Sequence, residues 1–422
     1  MPVLRALASA RGLADCKLQI CILHFAICNL QSVVVADPAS QTSPASSSET
    51  LYDGATLAQW RARIPNLNFT APDIGSAVPG LLAIVEDTRA PWFSRRQAAI
   101  TLGRIGRPAQ AAVPVLIALL DEPADVPEHS ARLWAIKSLS LFGPLAADAA
   151  PPLIDVLNDD RAPELDRLSS IEALGRIGPA QPDVLPAIIA TLETTPVRSD
   201  DAGREAELER RVAAAEILEL FKGHAAPAVP ALIRATRSDA VLLRRAAANT
   251  LGVIGPSAEP AVPALVDLVL FDEHDQVRDL AATALGKIGL AAEGSLVQLL
   301  ADEDMGVRRR AASALGQLSA AAPTTVSALQ ATAGDDSPAV RMASLAALWK
   351  LTQDPSRVLT AVIDEVSNDD REVRMGAVRL LEVMGPAARP GIERLNVLAE
   401  EGSPAVRQAA RRALRAIEAP QP

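Results

Sequence analysis

The side chains that could do chemistry in this 422-residue sequence are few. Beyond the first 36 residues there are three histidines, His129, His224 and His274, and two of them follow an acid, as Glu128-His129 and Glu273-His274. A histidine beside a carboxylate is raw material for a metal site, but such a site needs three or more ligands converging from facing elements. The two pairs stand far apart on segments that read as turns, so they are read as solvated side chains. No catalytic residue, metal ligand or cofactor is expected. The three cysteines, Cys16, Cys21 and Cys28, all fall in the first 36 residues. A chain cut after Ala36 would have no thiol for nucleophilic catalysis, zinc, an iron–sulfur cluster or a disulfide. Pairs such as Gly252 with Gly255 recur where helices should close, and do not read as a phosphate loop.

One charged residue type recurs in register. Arg95, Arg132, Arg167, Arg211, Arg244, Arg278, Arg308, Arg341, Arg374 and Arg407 are separated by 37, 35, 44, 33, 34, 30, 33, 33 and 33 residues, and each is followed seven positions later by a leucine. Acids precede them: Asp272, Asp302, Asp335 and Glu401 by six residues, Asp239 and Asp369 by five. An arginine on the edge of an apolar stripe needs a partner. Its planar fork could bond a carboxylate on its own inter-helix loop and a neighbour's together, so the spacing predicts a ladder of structural charges.

The elements that must position this ladder are clearest in Pro260 to Gly289, PAVPALVDLVLFDEHDQVRDLAATALGKIG. Val277, Leu280, Ala281, Ala284, Leu285 and Ile288 recur as one stripe of an α-helix. A shorter helix is expected from Pro263 to Leu270, opened by Val262-Pro263, while Gly289 ends the second helix. Neither helix could bury its stripe against the other alone, so copies must stack on both sides.

Val-Pro opening a first helix, Asp then Val-Arg entering a second, and Leu-Gly-x-Ile-Gly closing it resemble the HEAT repeat family, specifically the bacterial type called PBS-lyase HEAT-like. The resemblance covers about residues 77–418 and implies an all-α fold: an α-solenoid, a right-handed superhelix of about ten HEAT-like helix pairs. It leaves function open, because the class includes phycobilin lyases, a deoxyhypusine hydroxylase, DNA glycosylases and plain scaffolds. The hydroxylase holds two irons through His-Glu pairs on several repeats, whereas the pairs here have the reverse order. A bilin lyase would need a tetrapyrrole groove, of which a chain with 3% aromatic residues gives no sign.

In chain order, residues 1–36 carry Arg5, Arg11 and Lys17 before an apolar run, Leu18 to Leu30, and then Val34-Val35-Ala36. This pattern predicts a signal peptide cut after Ala36 or an N-terminal anchor. Residues 37–50 read as a Ser/Pro/Thr-rich disordered tether. Residues 51–76 read as a capping segment, with Leu57, Trp60 and Ile64 covering the first repeat. The repeat array runs over 77–418, and 419–422 form a tail. Two units are lengthened, at Asp121 to Ser130 and Glu193 to Glu209, and both insertions read as surface loops. Arg411, Arg412 and Arg415 make the last helix polar, as a terminal cap should be. The net charge of −10 and pI near 5.1 argue against a nucleic-acid binder.

The second helix of the sixth repeat should present Asp279, Ala282, Thr283, Gly286 and Lys287 on the concave face. In the eighth and ninth repeats the corresponding region includes Met342, Leu345, Trp349, Met375 and Val378, an adhesive patch suited to a protein partner. The alternative is a rotated helix pair, with Trp349 filling space left by a missing glycine. The expectation from sequence is an exported, monomeric, non-catalytic scaffold. It would lie in the periplasm, envelope or exterior, bind a protein and no nucleic acid, and touch a membrane only through its N-terminus. The rival is an enzyme of the same repeat class, a bilin lyase or a metal-dependent oxidoreductase similar to deoxyhypusine hydroxylase.

Overall fold

The structure is a computed structural model that describes residues 50–122, 130–194 and 201–419. The leader with its cysteines, nearly all of the tether, the Glu128-His129 pair, residues 195–200 and the last three residues of the tail lie outside the described residues.

The unit Leu51–Pro422 is all-α apart from one short hairpin, and its helices form ten consecutive pairs. A capping helix α1 (Leu57–Arg63) comes first. The pairs are then α2 (Val78–Glu86) with α3 (Trp92–Ile105), α4 (Val113–Ala118) with α5 (Ala131–Phe142), and α6 (Ala150–Asn158) with α7 (Glu164–Ile177). Next are α8 (Val184–Glu193) with α9 (Asp201–Phe221), α10 (Val229–Ala235) with α11 (Val241–Ile254), and α12 (Val262–Phe271) with α13 (Asp275–Ile288). The last four are α14 (Leu290–Leu299) with α15 (Met305–Leu315), α16 (Pro323–Thr332) with α17 (Pro338–Thr352), α18 (Leu359–Glu365) with α19 (Arg371–Met384), and α20 (Ile392–Glu401) with α21 (Pro404–Glu418). This is the α-solenoid of ten helix pairs that the periodicity predicts.

The Val-Pro pairs open first helices as expected, because proline in the first turn gives up no intrahelical bond. Each second helix packs on its own first helix and, within the array, on the second helices before and after it, the two terminal ones having one such neighbour. The predicted stripe of α13 is accordingly buried, with Leu280 half-buried. Ala282 and Gly286, expected on the open face, are also buried, because the following second helix covers them. The two glycines of Leu-Gly-x-Ile-Gly therefore do different work. Gly255 closes α11 in the left-handed region, at φ +73°, a conformation that costs glycine little. Gly252 lets α13 approach: a Cβ there would lie 2.9 Å from the Ala284 Cα.

The array is closed at its N-terminus by the hairpin β1 (Leu51–Tyr52) with β2 (Ala55–Thr56) and by α1. Thr56 and Gln59 form a reciprocal capping box at the start of α1. Trp60 is 1% exposed, and its indole N–H donates to the Tyr52 carbonyl at 2.7 Å. At the other end Arg411, Arg412 and Arg415 are exposed on α21. The insertion before α9 is not all loop, since residues from Asp201 onward lengthen that helix. Its Arg-, Glu- and Ala-rich sequence favours helix, and Glu207 and Arg210 are buried in it. Val241–Phe271 is long and apolar enough to cross a membrane by composition, but it comprises α11, a 3-10 turn and α12, half buried within the stack.

Gly252→Ala is expected to destabilise the protein by about 1–3 kcal/mol, because backbone rather than a flexible side chain stands in the way. Gly223→Ala, whose added methyl would meet nothing within 4 Å, should stay within about 0.5 kcal/mol of the wild type. Urea midpoints of the two variants give the comparison, and equal shifts would contradict the close packing at Gly252.

Candidate partner-binding face and the arginine ladder

The in-register arginines fix the second helices to the loops that precede them. Arg244 donates from Nη1 to the Ser238 and Asp239 carbonyls at 2.9 and 3.0 Å, both on its own loop. Its Nε and Nη2 reach both oxygens of Asp272, at 2.6 and 3.1 Å, on the loop of the next repeat. Arg308 repeats the arrangement, with the Asp302 and Glu303 carbonyls behind it and Asp335 ahead at 2.7 and 2.9 Å. Arg341 bonds the Asp335 and Asp336 carbonyls and the Glu365 carboxylate, and Arg95 bonds the Val85 carbonyl and Glu122 at 3.0 Å. Each of these guanidinium groups clamps one repeat to the next.

The own-loop partner is usually backbone rather than the expected carboxylate. The last carbonyls of a first helix have no intrahelical donor, and the arginine supplies one. The loop carboxylate meanwhile holds its own turn: Asp272 accepts from the His274 amide at 2.9 Å, Asp302 from Asp304 at 2.8 Å and Asp335 from Ser337 at 2.8 Å. Arg132, Arg211, Arg374 and Arg407 make the loop contact through the carbonyls of Leu120, Leu192, Asn368 with Asp369, and Gly402. Arg167 bonds the Leu157 carbonyl, and its own-loop acid, Asp160 at 3.3 Å, does take part.

Arg278 departs from the pattern. It donates to Asp275 on its own helix at 2.7 Å, and its Nε is buried without a hydrogen-bond partner. Asp275 is drawn there because Arg310, one repeat on, also reaches it at 2.6 Å, together with Asp279 at 2.6 Å. That junction is tied from the opposite direction. Sequence reasoning missed Glu122, Glu365 and Arg310 as inter-repeat partners. Glu365 ends a first helix, and its longer side chain reaches where an aspartate on the following loop reaches elsewhere.

The buried carboxyls respond in two ways. Burial pushes Asp272 up, but bonds from Arg244 and the His274 amide outweigh it and hold the group below the usual carboxylate range. Bonding to Arg308 likewise holds Asp335 low. Asp166 lacks such a donor. Burial pushes it up to about 6 against the opposing charge of Arg132, and one of its oxygens is buried without a partner.

The predicted adhesive patch is not on the surface. Leu345, Trp349, Met375 and Val378 are at most 8% exposed and belong to the core, and Met342 is half-buried against it. Trp349 stands eight residues after Arg341, the place that Gly252 takes after Arg244, and fills the space that glycine leaves elsewhere for close helix approach.

Except where Leu133 and Met375 turn into the core, what the second helices leave wholly or partly open to solvent are the positions one, five and nine after the ladder arginine. They lie on the side turned away from the first helix, since five and three residues on differ by about 160° around the axis. In α13 these are Asp279, Thr283 and Lys287, where Asp279 and Lys287 are exposed. From the fifth to the tenth repeat every second helix places one cation there: Arg245, Lys287, Arg309, Lys350, Arg379 and Arg412. At the other end of the array the cations lie over aromatic rings, Arg96 at 3.7 Å and Lys137 at 5.2 Å from Trp134, and Arg104 at 4.2 Å from Phe69.

The sequence model of HEAT repeats matches residues 78–174, 202–286, 262–349 and 293–382, more than half of the chain. No curated protein matches it. Among solved structures, a chain of the Kap95:Nup1 complex superposes with a TM-score of 0.56 at 13% identity, covering 85% of this chain and 53% of that one. Importin beta in an ammonium sulfate condition gives 0.51 at 15% identity, covering 86% and 55%. Kap121p bound to Nup53p gives 0.52 at 15%, covering 86% and 43%. The likeness is one of fold, and the chain spans about half the length of these structures.

Two outcomes follow from the ladder and from Asp166. Arg244→Ala should cost about 3–5 kcal/mol by leaving Asp272 buried and unpaired, whereas Arg278→Ala, which frees an exposed Asp275, should cost about 1 kcal/mol or less. Melting curves of the two variants decide this, and equal losses would mean that the clamps carry no more than surface pairs. The folded Asp166 binds its proton more tightly than the unfolded chain does, so stability falls as pH rises from about 4 to about 6. Asp166→Asn should therefore stabilise the protein at pH 7.5 by an amount on the order of 2–3 kcal/mol and be nearly neutral at pH 4. A stabilisation independent of pH would remove this explanation.

Proposed function

Because the chain belongs to the HEAT repeat family, we propose that it is a non-catalytic interaction scaffold that holds a protein partner along its second-helix face. The observation that carries this reading is the unbroken series of cations on that face from the fifth repeat to the tenth, in a chain whose net charge is −10. A solenoid presents such a series over many repeats at fixed spacing, which suits an extended partner better than a small substrate. Two of the similarly folded chains are seen in bound form, in the Kap95:Nup1 complex and in Kap121p bound to Nup53p. We place the chain in the PBS-lyase HEAT-like branch on its Val-Pro and Leu-Gly-x-Ile-Gly signatures. On the leader pattern of residues 1–36 we place the protein outside the cytoplasm, with the second-helix face as the concave one.

Photo-crosslinking tests the reading. A benzophenone amino acid at Val383 or Leu220, both exposed on second helices, should give adducts with a discrete protein in host cells, while the same group at Val397, exposed on first helix α20, should not. Adducts at Val397 alone, or at none of the three, would refute it. N-terminal sequencing of the adduct should begin at Asp37. A start at Met1 with the adduct in the cytoplasm would refute export.

A further inference from the structure

Building on the scaffold reading, we propose that the second-helix face of the fifth to tenth repeats takes an extended acidic polypeptide segment, with carboxylates spaced about three to five residues apart. Arg245, Lys287, Arg309, Lys350, Arg379 and Arg412 supply one cation per repeat over six successive repeats. At the same three positions of these helices the opposite charge occurs once, at Asp279, and Arg309 and Arg310 already donate to it. Among the described residues Lys287, Lys350 and Arg379 make no ion pair. Many of the acids lie instead on the inter-helix loops, as in Asp302 to Asp304 and Asp369-Asp370, while Glu382 on α19 borders the face and pairs with Arg412 at 3.6 Å.

The spacing selects an extended peptide. Packed helices stand about 8–10 Å apart, and the cations alternate between positions one, five and nine, which adds up to about 12 Å along the helix axis, so successive cations stand about 9–15 Å apart and an extended chain, advancing about 3.3 Å per residue, meets one about every third to fifth residue. Six repeats then engage a segment of roughly 20 residues. The rest of the face disfavours a continuous polyanion. Val383 is 70% exposed, nine residues after Arg374, and Met342 and Ala346 occupy the corresponding surface of α17, so charge alternates with apolar area. Asp279 interrupts the path that an unbroken row of phosphates would follow. A peptide can place a carboxylate against each cation and an apolar or small residue between.

A fluorescein-labelled peptide of six Glu-Gly-Ser triplets is the probe, with an isomer of the same composition whose glutamates are consecutive. By anisotropy, using the full chain, the triplet peptide should bind at least about tenfold more tightly than the isomer. The triple reversal Lys287→Glu, Lys350→Glu, Arg379→Glu should weaken it by about 100-fold with an unchanged melting temperature. The control reversal Arg107→Glu, Arg161→Glu, Arg394→Glu changes net charge equally at exposed sites off this face and should leave binding within about threefold. No binding, equal binding of the isomer, or equal loss in the control would overturn the proposal. Tighter binding of a single-stranded oligonucleotide to the same residues would overturn it in favour of nucleic acid. If the peptide fails while Val383 or Leu220 still crosslinks a protein, only the acidic-segment inference falls; if neither does, the scaffold reading falls with it.

Discussion

No helix pair in this chain can bury its own apolar stripe, and everything else follows from the need for a neighbour on each side. Each internal second helix is enclosed by its own first helix and by two other second helices, so its free surface shrinks to a strip of three positions along its length. Close approach sets how narrow that strip is. At Gly252 and Gly316 an added Cβ would come within 3.0 Å of the next helix's backbone at Ala284 and Ala347, which only glycine allows. Where tryptophan replaces that glycine, at Trp349, the junction is filled by side chain and the ring becomes core.

The clamps follow from the same geometry. An arginine at the start of a second helix lies beside the orphan carbonyls of the first helix and within reach of the next repeat's loop. One planar group can therefore satisfy backbone on one side and neutralise a buried carboxylate on the other. The desolvation of Asp272 is offset by bonds it receives from two directions, which a lysine's point charge would not reproduce. Variation between junctions is built in. Arg278 and Arg310 show that the sixth and seventh repeats are tied from the opposite side, so stability should differ from one junction to the next rather than be uniform along the array.

The register of these arginines was legible because it is a property of spacing, and so were the helix pairs, the Val-Pro openings and the cap on Trp60. The partners were less legible. Whether a loop offers its carboxylate or its carbonyl depends on which way a turn faces, and spacing does not encode that: Asp302 and Asp335 both precede an arginine by six residues, yet only Asp335 receives a guanidinium from the preceding repeat. The adhesive patch was misplaced for a related reason. A single apolar stripe was assumed for each second helix, whereas stacking demands three contact sides, and Leu345, Trp349, Met375 and Val378 belong to those sides. The same narrowing hid the charge series, because its members fall one, five or nine residues after the ladder and share no single register.

Acidic composition and a basic face are compatible here because the two signs answer to different parts of the repeat. Acids on the inter-helix loops hold turns and receive clamping arginines, and every repeat inserts such a loop. The strip opposite the first helix carries no such structural demand, so its residues are free to be set by what lies against it. A charge balance taken over the whole chain averages these two populations and reports the more numerous one. The net charge of −10 therefore argues about solubility and long-range repulsion, while the six cations at one per repeat argue about contact, which is decided within a Debye length of about 10 Å.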